Sequence, residues 1–423
     1  MNAILKRRQL APATTEIFLP ASKSISNRLL IMKFLSNGRI KIENLSKAGD
    51  TQLMQHLLHK ISQHISDGFQ QETLALDCDN AGTVFRFLTA LLSIQPGFWL
   101  LTGSERMKKR PVAALCDALN QLGAAIEYCG KVGFPPLKIQ GRKLHGGKVS
   151  LDASESSQYV SAMLMIAPIL AGGLSLTLEG KSVSRPYIDM TLALMEEAGI
   201  KTNEKGNVIV VEHGKYQQTD FAVEPDWSSA SYWYEMAALM PGSEILLRGL
   251  SLKSLQGDAE LANIFSLLGV ASYETGRGVM VKKIEDSERF AEIREPLRFD
   301  LSRHPDLAPA LAATCAALNV EATLIGLGNL KIKESNRLEA LHDELRKINS
   351  TVSIVGDDVL FISKQDIFNE SREFFFRTYN DHRMAMALAP LVLCCHQVTI
   401  ENPDVVAKSY PHFWDDVKLF LER

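Results

Sequence analysis

No long apolar run, no nucleotide-binding signature and no paired-cysteine pattern marks this chain of 423 residues. The longest apolar stretch, near residues 159–178, is broken by Pro168, Gly172 and Gly173, which excludes a membrane span there. The first residues, MNAILKRRQLAPATTEIFLP, are basic in part but have no apolar core or cleavage signal, so no signal peptide is expected. Six cysteines (Cys78, Cys116, Cys129, Cys315, Cys394, Cys395) show no CxxC spacing. That fits a reducing compartment better than a disulfide framework or a zinc site. Neither a P-loop nor a GxGxxG turn is present, so ATP and NAD are not implied. A GxSxG elbow is also missing, which leaves a Ser-His-Asp hydrolase unsupported. No HExxH motif accompanies His56, His59 and His64, which read as the solvated face of an amphipathic helix. The net charge is only −3, so no global field argues for nucleic acid or membrane. The expectation is a cytoplasmic protein whose anion sites are local concentrations of Lys and Arg.

What is present is an ordinary globular balance, 46% hydrophobic and 22% charged, over a length that suits two to three domains. Six segments open with small or polar residues and run into Ala/Leu/Met-rich stretches of helical length. They are SKSISNRLLIMKFL, NAGTVFRFLTALL, SSQYVSAMLMIAPIL, WSSASYWYEMAALM, RHPDLAPALAATCAAL and NDHRMAMALAPLVL. With Ser24, Gly82, Ser157, Ser229, Pro305 and Met384 as markers, the steps are 58, 75, 72, 76 and 79 residues. This spacing suggests internal structural duplication. The runs NVIVVE, GVMVKK, DVLFIS and LSLTLEG read as strands. More charged segments, such as TQLMQHLLHKI and RLEALHDELRKI, read as amphipathic surface helices. The Ala-rich helices are apolar nearly all round and are expected to be buried. Three such α/β units make a domain of ordinary size, so two domains are expected, with a break near residues 224–227.

The helix starts carry the candidate chemistry. A helix N-terminus offers unpaired N–H groups and a positive dipole end, which suit an anion when the cap residues are small. In LPASKSISNR, Ser24 and Arg28 share a helix face beside Lys23, and the group reads either as an anion cradle or as a cap with solvated cations. In NAGTVFR, Gly82 permits close backbone approach, Thr83 can cap, and Arg86 follows three residues on. Ser156, Ser157 and Gln158 open another helix, by capping or by ligand contact. Arg106, Lys108, Lys109 and Arg110 precede Pro111, which can begin a helix. Lys331, Lys333, Glu334 and Arg337 crowd together, and Glu334 reads as an acid/base group or as an ion-pair partner. Asp306 stands at a helix entrance, where Asp is also favourable without any other role. Asp381, His382 and Arg383 precede a further buried helix. Lys408, alone among apolar residues, reads as surface.

Taken in order, SKSISNR, NAGT, RMKKRP, SSQY, SRPYIDMT, DWSSASYW, HPD, KESNRL and NDHRMAMA resemble the 5-enolpyruvylshikimate-3-phosphate (EPSP) synthase family along nearly the whole chain. The resemblance implies an α/β fold of two similar domains, each of three βαβαββ units, the inside-out α/β barrel of enolpyruvyl transferases. It implies a discontinuous domain of residues 1–22 plus 226–423 and a second of residues 23–225, with an active site in a cleft between them. It implies transfer of the enolpyruvyl group of phosphoenolpyruvate to the 5-hydroxyl of shikimate 3-phosphate, by addition–elimination, with release of phosphate. No metal or organic cofactor is implied, and the partners are these two small molecules. A monomer is expected.

By position, the resemblance gives shikimate 3-phosphate to Lys23, Ser24, Arg28, Ser156, Ser157, Gln158, Ser184, Tyr187, Asp306, Asn329 and Lys333. It gives phosphoenolpyruvate to Lys23, Gly82, Arg110, Gln158, Arg337, His382, Arg383 and Lys408. Asp306, Glu334 and Lys23 are the implied catalytic groups, with Asp306 accepting the 5-hydroxyl proton and Glu334 serving the enolpyruvyl methylene. Ala21, Asp79 and Phe87 depart from the family pattern and bear on the phosphoenolpyruvate pocket and its response to glyphosate, the family's competing inhibitor. Two alternatives are a transferase acting on UDP-N-acetylglucosamine, and a non-catalytic anion-binding protein of the same fold. Cys116 falls in a helical pattern, not in the Cys-bearing loop that the first would need. Lys23, Asp306, Glu334 and Arg383 are intact, which argues against the second.

Overall fold

One strand recipe recurs through the chain. In a computed structural model the described residues are 2–7, 14–68, 71–181, 183–284, 296–348, 351–363 and 371–422. Thr73–Asp77 pairs in parallel with Gly97–Thr102, which pairs antiparallel with Leu137–Gly141, which in turn pairs antiparallel with Ala125–Tyr128. Gly147–Asp152, Leu174–Glu179, Val208–Val211 and Thr202–Lys205 repeat that order. So do Leu297–Asp300, Ala322–Ile325, Val359–Ser363 and Thr351–Val355. The parallel pair needs a crossover, and a helix supplies it; Thr202–Lys205 with Val208–Val211 and Thr351–Val355 with Val359–Ser363 are antiparallel hairpins closed by short turns. The four strand runs read from the sequence all lie in these sheets or in Gly278–Lys283.

Tertiary contacts divide the chain into two units, Ser22–Val223 and Met1–Ala21 with Glu224–Arg423. In the first unit the helices are α1 (Lys23–Leu35), α2 (Gly49–Ser66), α3 (Gly82–Ile94), α4 (Ala113–Gln121), α5 (Ser157–Ile166) and α6 (Arg185–Glu197). In the second they are α7 (Trp227–Leu239), α8 (Leu261–Ser266), α9 (Ala308–Ala317), α10 (Arg337–Leu345), α11 (His382–Leu388) and α12 (Phe413–Leu421). The second unit also takes Thr14–Ile17 as a strand parallel to Glu244–Arg248. Asn2–Lys6 pairs there with Gln397–Glu401.

Every residue of α7 and α11 is buried, and α3 and α9 are nearly so. A helix apolar all round has no solvent face to keep, so it becomes core. By contrast α2 buries Met54, Leu57, Leu58 and Ile61, one stripe at helical spacing. One expectation on α2 is corrected. His56 and His59 are exposed, but His64 is buried against the Trp99 ring at 5.3 Å, with Nε2 3.2 Å from the Glu72 carbonyl. The helical stripe carries His64 inward because it continues the Leu57–Ile61 face.

Candidate active site

In the first unit the chemistry starts at α1. Ser22 caps the helix by accepting from the Ile25 N–H at 3.4 Å, which leaves Lys23 and Ser24 in the first turn. Lys23 Nζ lies 3.1 Å from Asp50 Oδ2, at the start of α2. Arg28 is buried and donates to Thr191 Oγ1 at 2.7 Å, to the Ser24 carbonyl at 2.9 Å, to Ser161 Oγ at 3.0 Å and to the Tyr187 carbonyl at 3.1 Å. These bonds take four of the five N–H groups of a guanidinium and tie α1 to α5 and α6. Burial lowers the Arg28 pKa to about 10, so it stays a cation at neutral pH. The Phe87 ring faces that guanidinium at 5.4 Å.

A second cluster gathers at α3. A Cβ built on Gly82 would sit 2.6 Å from Arg86 Nη1 and 2.7 Å from Arg110 Nη2. Two guanidinium groups therefore close on the helix start, and only glycine leaves them room. Arg86 donates to Gln158 Oε1 at 2.8 Å, and Gln158 Nε2 donates to Thr83 Oγ1 at 3.0 Å. Ser156 caps α5 by accepting from the Gln158 N–H at 3.2 Å, and Ser157 is buried beside it. Just ahead of α3, Asp79 takes φ +45°, the left-handed region that glycine fills without cost and that Asp tolerates. Ser184, before α6, also sits at φ +54°, and its hydroxyl makes no cap to the helix. Ser184 is buried there. Tyr187 follows, with its N–H on the Ser184 carbonyl.

In the second unit the ion pairs form one chain. Asp306 accepts from Arg383 Nη2 at 2.9 Å, Arg337 Nη1 at 3.0 Å and Lys333 Nζ at 3.4 Å. Arg337 continues to Glu334 Oε2 at 2.8 Å, and Lys408 Nζ stands 3.9 Å from Glu334 Oε1. Lys408 is thus not the surface residue its apolar neighbours suggest; its side chain is only 15% exposed. Arg337 Nε and Nη2 also bond both oxygens of Asp381, at 2.8 and 3.2 Å. Asp381 accepts from Ser335 Oγ and caps α11 through the Arg383 N–H. His382 turns to Asp381, Nδ1 to Oδ1 3.5 Å. The buried Oδ1 of Asn329 has no hydrogen-bond partner among the described residues.

Burial alone raises the Asp306 pKa, but Arg383, Lys333 and Arg337 outweigh it and hold the carboxyl well below its usual range. Burial lowers Lys333, and Asp306 offsets only part of that. Arg337 ends above its ordinary value, because Asp381, Glu334 and Asp306 outweigh burial. The cluster can therefore bind anions and present one ionised carboxylate, Asp306, as a base. Asp50, Arg86, Ser335 and Asp381 carry much of this geometry. Their motifs stood in the sequence, but a polar residue at a helix start reads first as a cap. Cys116 lies in α4, and burial pushes its thiol up to about 12, which leaves it inert. Among the described residues no His, Cys, Asp and Glu group forms a metal site, and no helix is long and apolar enough to cross a membrane.

A family model for EPSP synthase (3-phosphoshikimate 1-carboxyvinyltransferase) matches residues 8–417. A 3-phosphoshikimate 1-carboxyvinyltransferase of Bacteroides fragilis strain YCH46 is 44% identical over 403 residues, 95% of this chain and 94% of that protein. One from Colwellia psychrerythraea strain 34H is 36% identical over 421 residues, 95% of each. The structure of an EPSP synthase from Acinetobacter baumannii superposes with a TM-score of 0.73 at 20% identity, covering 99% of this chain and 98% of that one. That likeness shows the two-domain enolpyruvyl transferase fold.

Proposed function

The chain belongs to the EPSP synthase family, and from that premise we infer that it is a transferase of the shikimate pathway acting on shikimate 3-phosphate and phosphoenolpyruvate. The 5-hydroxyl oxygen attacks C2 of phosphoenolpyruvate and its proton passes to Asp306. The methylene carbon takes a proton from the Glu334 carboxyl, and a tetrahedral intermediate forms; Lys23 contacts phosphoenolpyruvate. The Glu334 carboxylate then takes back a methyl proton, the C2–C3 double bond is restored, and the C2–O bond breaks with its electron pair leaving on phosphate. The observation that carries this reading is the state of Asp306. A general base must be ionised and in reach, and three cations hold this carboxylate ionised. Glu334 stands beside Arg337 at 2.8 Å and Lys408 at 3.9 Å, and the reading gives it the proton transfer at the methylene carbon.

The same reading assigns shikimate 3-phosphate mainly to the unit with Lys23, Ser24, Arg28, Ser156, Ser157, Gln158, Ser184 and Tyr187. Asp306, Asn329 and Lys333 add to it. Phosphoenolpyruvate falls to Lys23, Gly82, Arg110, Gln158, Arg337, His382, Arg383 and Lys408. Two phosphates and two carboxylates among the substrates account for so many cationic helix starts. We place the enzyme in the cytoplasm as a monomer; six cysteines without CxxC spacing suit a reducing compartment. The test is phosphate release from the purified protein with both substrates. Release well above a Lys23→Met control is expected, and none above it would sink the reading.

A further inference from the structure

Tyr159 and Arg86 close on one backbone oxygen. The Tyr159 hydroxyl donates to the Pro111 carbonyl at 2.5 Å, and Arg86 Nη2 reaches the same carbonyl at 3.4 Å. The Arg86 guanidinium carbon stands 5.3 Å from the centre of the Tyr159 ring, a cation–π contact. The other arm of Arg86, Nη1, holds Gln158 Oε1 at 2.8 Å. Arg86 is 2% exposed and Tyr159 0%, so both side chains face protein. Neither residue has a part in the reaction drawn above, yet each is built against groups that do. Pro111 follows Arg110 directly, and Arg110 Nη1 donates to the Asn80 carbonyl at 3.2 Å.

We propose that Tyr159 and Arg86 are positioning residues for phosphoenolpyruvate, holding the Pro111 carbonyl, and so Arg110, together with the Gln158 amide. The proposal rests on the reading that Arg110 and Gln158 bind that substrate. Proline has a fixed φ and no N–H, so its carbonyl is its one backbone hydrogen-bonding handle. Anchoring that oxygen limits how far Arg110 can swing. The planar guanidinium of Arg86 spans two acceptors at once, the Pro111 carbonyl and Gln158 Oε1, which a lysine ammonium cannot reproduce in the same plane. Burial pushes the Tyr159 hydroxyl up to about 12, so it remains a donor through the neutral range. The Gln158 amide is fixed at both ends, since its Nε2 donates to Thr83.

The experiment compares wild type, Tyr159→Phe and Arg86→Lys by steady-state kinetics with each substrate varied in turn. Measurements are made at a temperature where circular dichroism shows all three folded. Each variant should raise the KM for phosphoenolpyruvate about tenfold, with the KM for shikimate 3-phosphate within about twofold of wild type. Both constants unchanged, or both raised alike, would overturn the proposal. Calorimetry of phosphoenolpyruvate binding in an Asp306→Asn background, with and without Tyr159→Phe, separates it from the functional reading. If wild type binds phosphoenolpyruvate but never turns over, the transferase reading alone falls. Equal binding with and without Tyr159→Phe would sink the clamp alone, and no binding in either would sink both.

Discussion

Asp306 and Arg383, 77 residues apart, meet with Oδ2 2.9 Å from Nη2. The other oxygen of the same carboxylate accepts from Arg337 and Lys333. A carboxylate so placed is ionised at any working pH but weakened as a base by each cation it keeps. Anionic substrates that draw those cations toward themselves would strengthen it at the moment it is needed.

Asp306→Asn should cut kcat by about 100-fold to 10,000-fold, the range for losing a general base. Shikimate 3-phosphate should still bind within severalfold of wild type, as calorimetry would report. Equal losses in turnover and binding would show that Asp306 acts by holding substrate. The stability consequence has a definite sign. The folded-state pKa is depressed, so this carboxylate stabilises the fold above its unfolded value of about 3.9 and loses that contribution as pH falls through the folded value. Wild type should therefore lose stability more steeply than Asp306→Asn in acid below about pH 4.

Asp381 is fully buried and bonded to Arg337, Ser335 and the first turn of α11. Its replacement by Ala leaves a buried guanidinium short of its partner. A loss of about 3–5 kcal/mol is expected, read as a lower urea midpoint at unchanged slope. A loss under about 1 kcal/mol would mean that Glu334 and Asp306 suffice to hold Arg337.

Glu235 on α7 is fully buried, and neither side-chain oxygen has a hydrogen bond among the described residues. Burial raises its pKa well above the usual value, so it is carried as the neutral acid. The unfolded chain ionises it near pH 4.3, and above that each pH unit costs wild type up to about 1.4 kcal/mol until the folded value is reached. Glu235→Gln removes this term. Its thermal midpoint should exceed that of wild type by a margin that widens from pH 5 to pH 8. A margin independent of pH would contradict the buried neutral acid.

Gly82→Ala places a methyl against Arg86 and Arg110, whose guanidinium ends must move. The expected result is a fall of about tenfold to 100-fold in kcat/KM for phosphoenolpyruvate, since small misplacements of binding groups are costly. Only side-chain ends are displaced, so the thermal midpoint should barely change. An unchanged kcat/KM would separate Gly82 from that substrate.

Much of the local structure was legible in residue order. Ser22-Lys23-Ser24, Gly82-Thr83 and Ser156-Ser157 each begin a helix because hydroxyl caps and glycine favour that geometry over a short span. The Ala-rich segments became core because they have no polar face to solvate. Arg28 was legible as a cation beside Ser24, but not as the buried link to Ser161 and Thr191, which are 133 and 163 residues away. His64 and Lys408 were misjudged for a related reason: their neighbours in sequence are not the groups that surround them in space.

Sequence alone determined where the helices start, which of them are buried, how the strands recur, and which residues could carry charge to a ligand. These properties follow from backbone propensity and hydrophobic period, which act over a few residues. Only the tertiary structure decided which charges meet. Asp306 gained three cations, Arg337 gained three carboxylates, and Arg86 and Tyr159 came to share the Pro111 carbonyl. Electrostatic and hydrogen-bond energies depend on distances of a few ångströms between distant parts of the chain, and no local pattern encodes those distances.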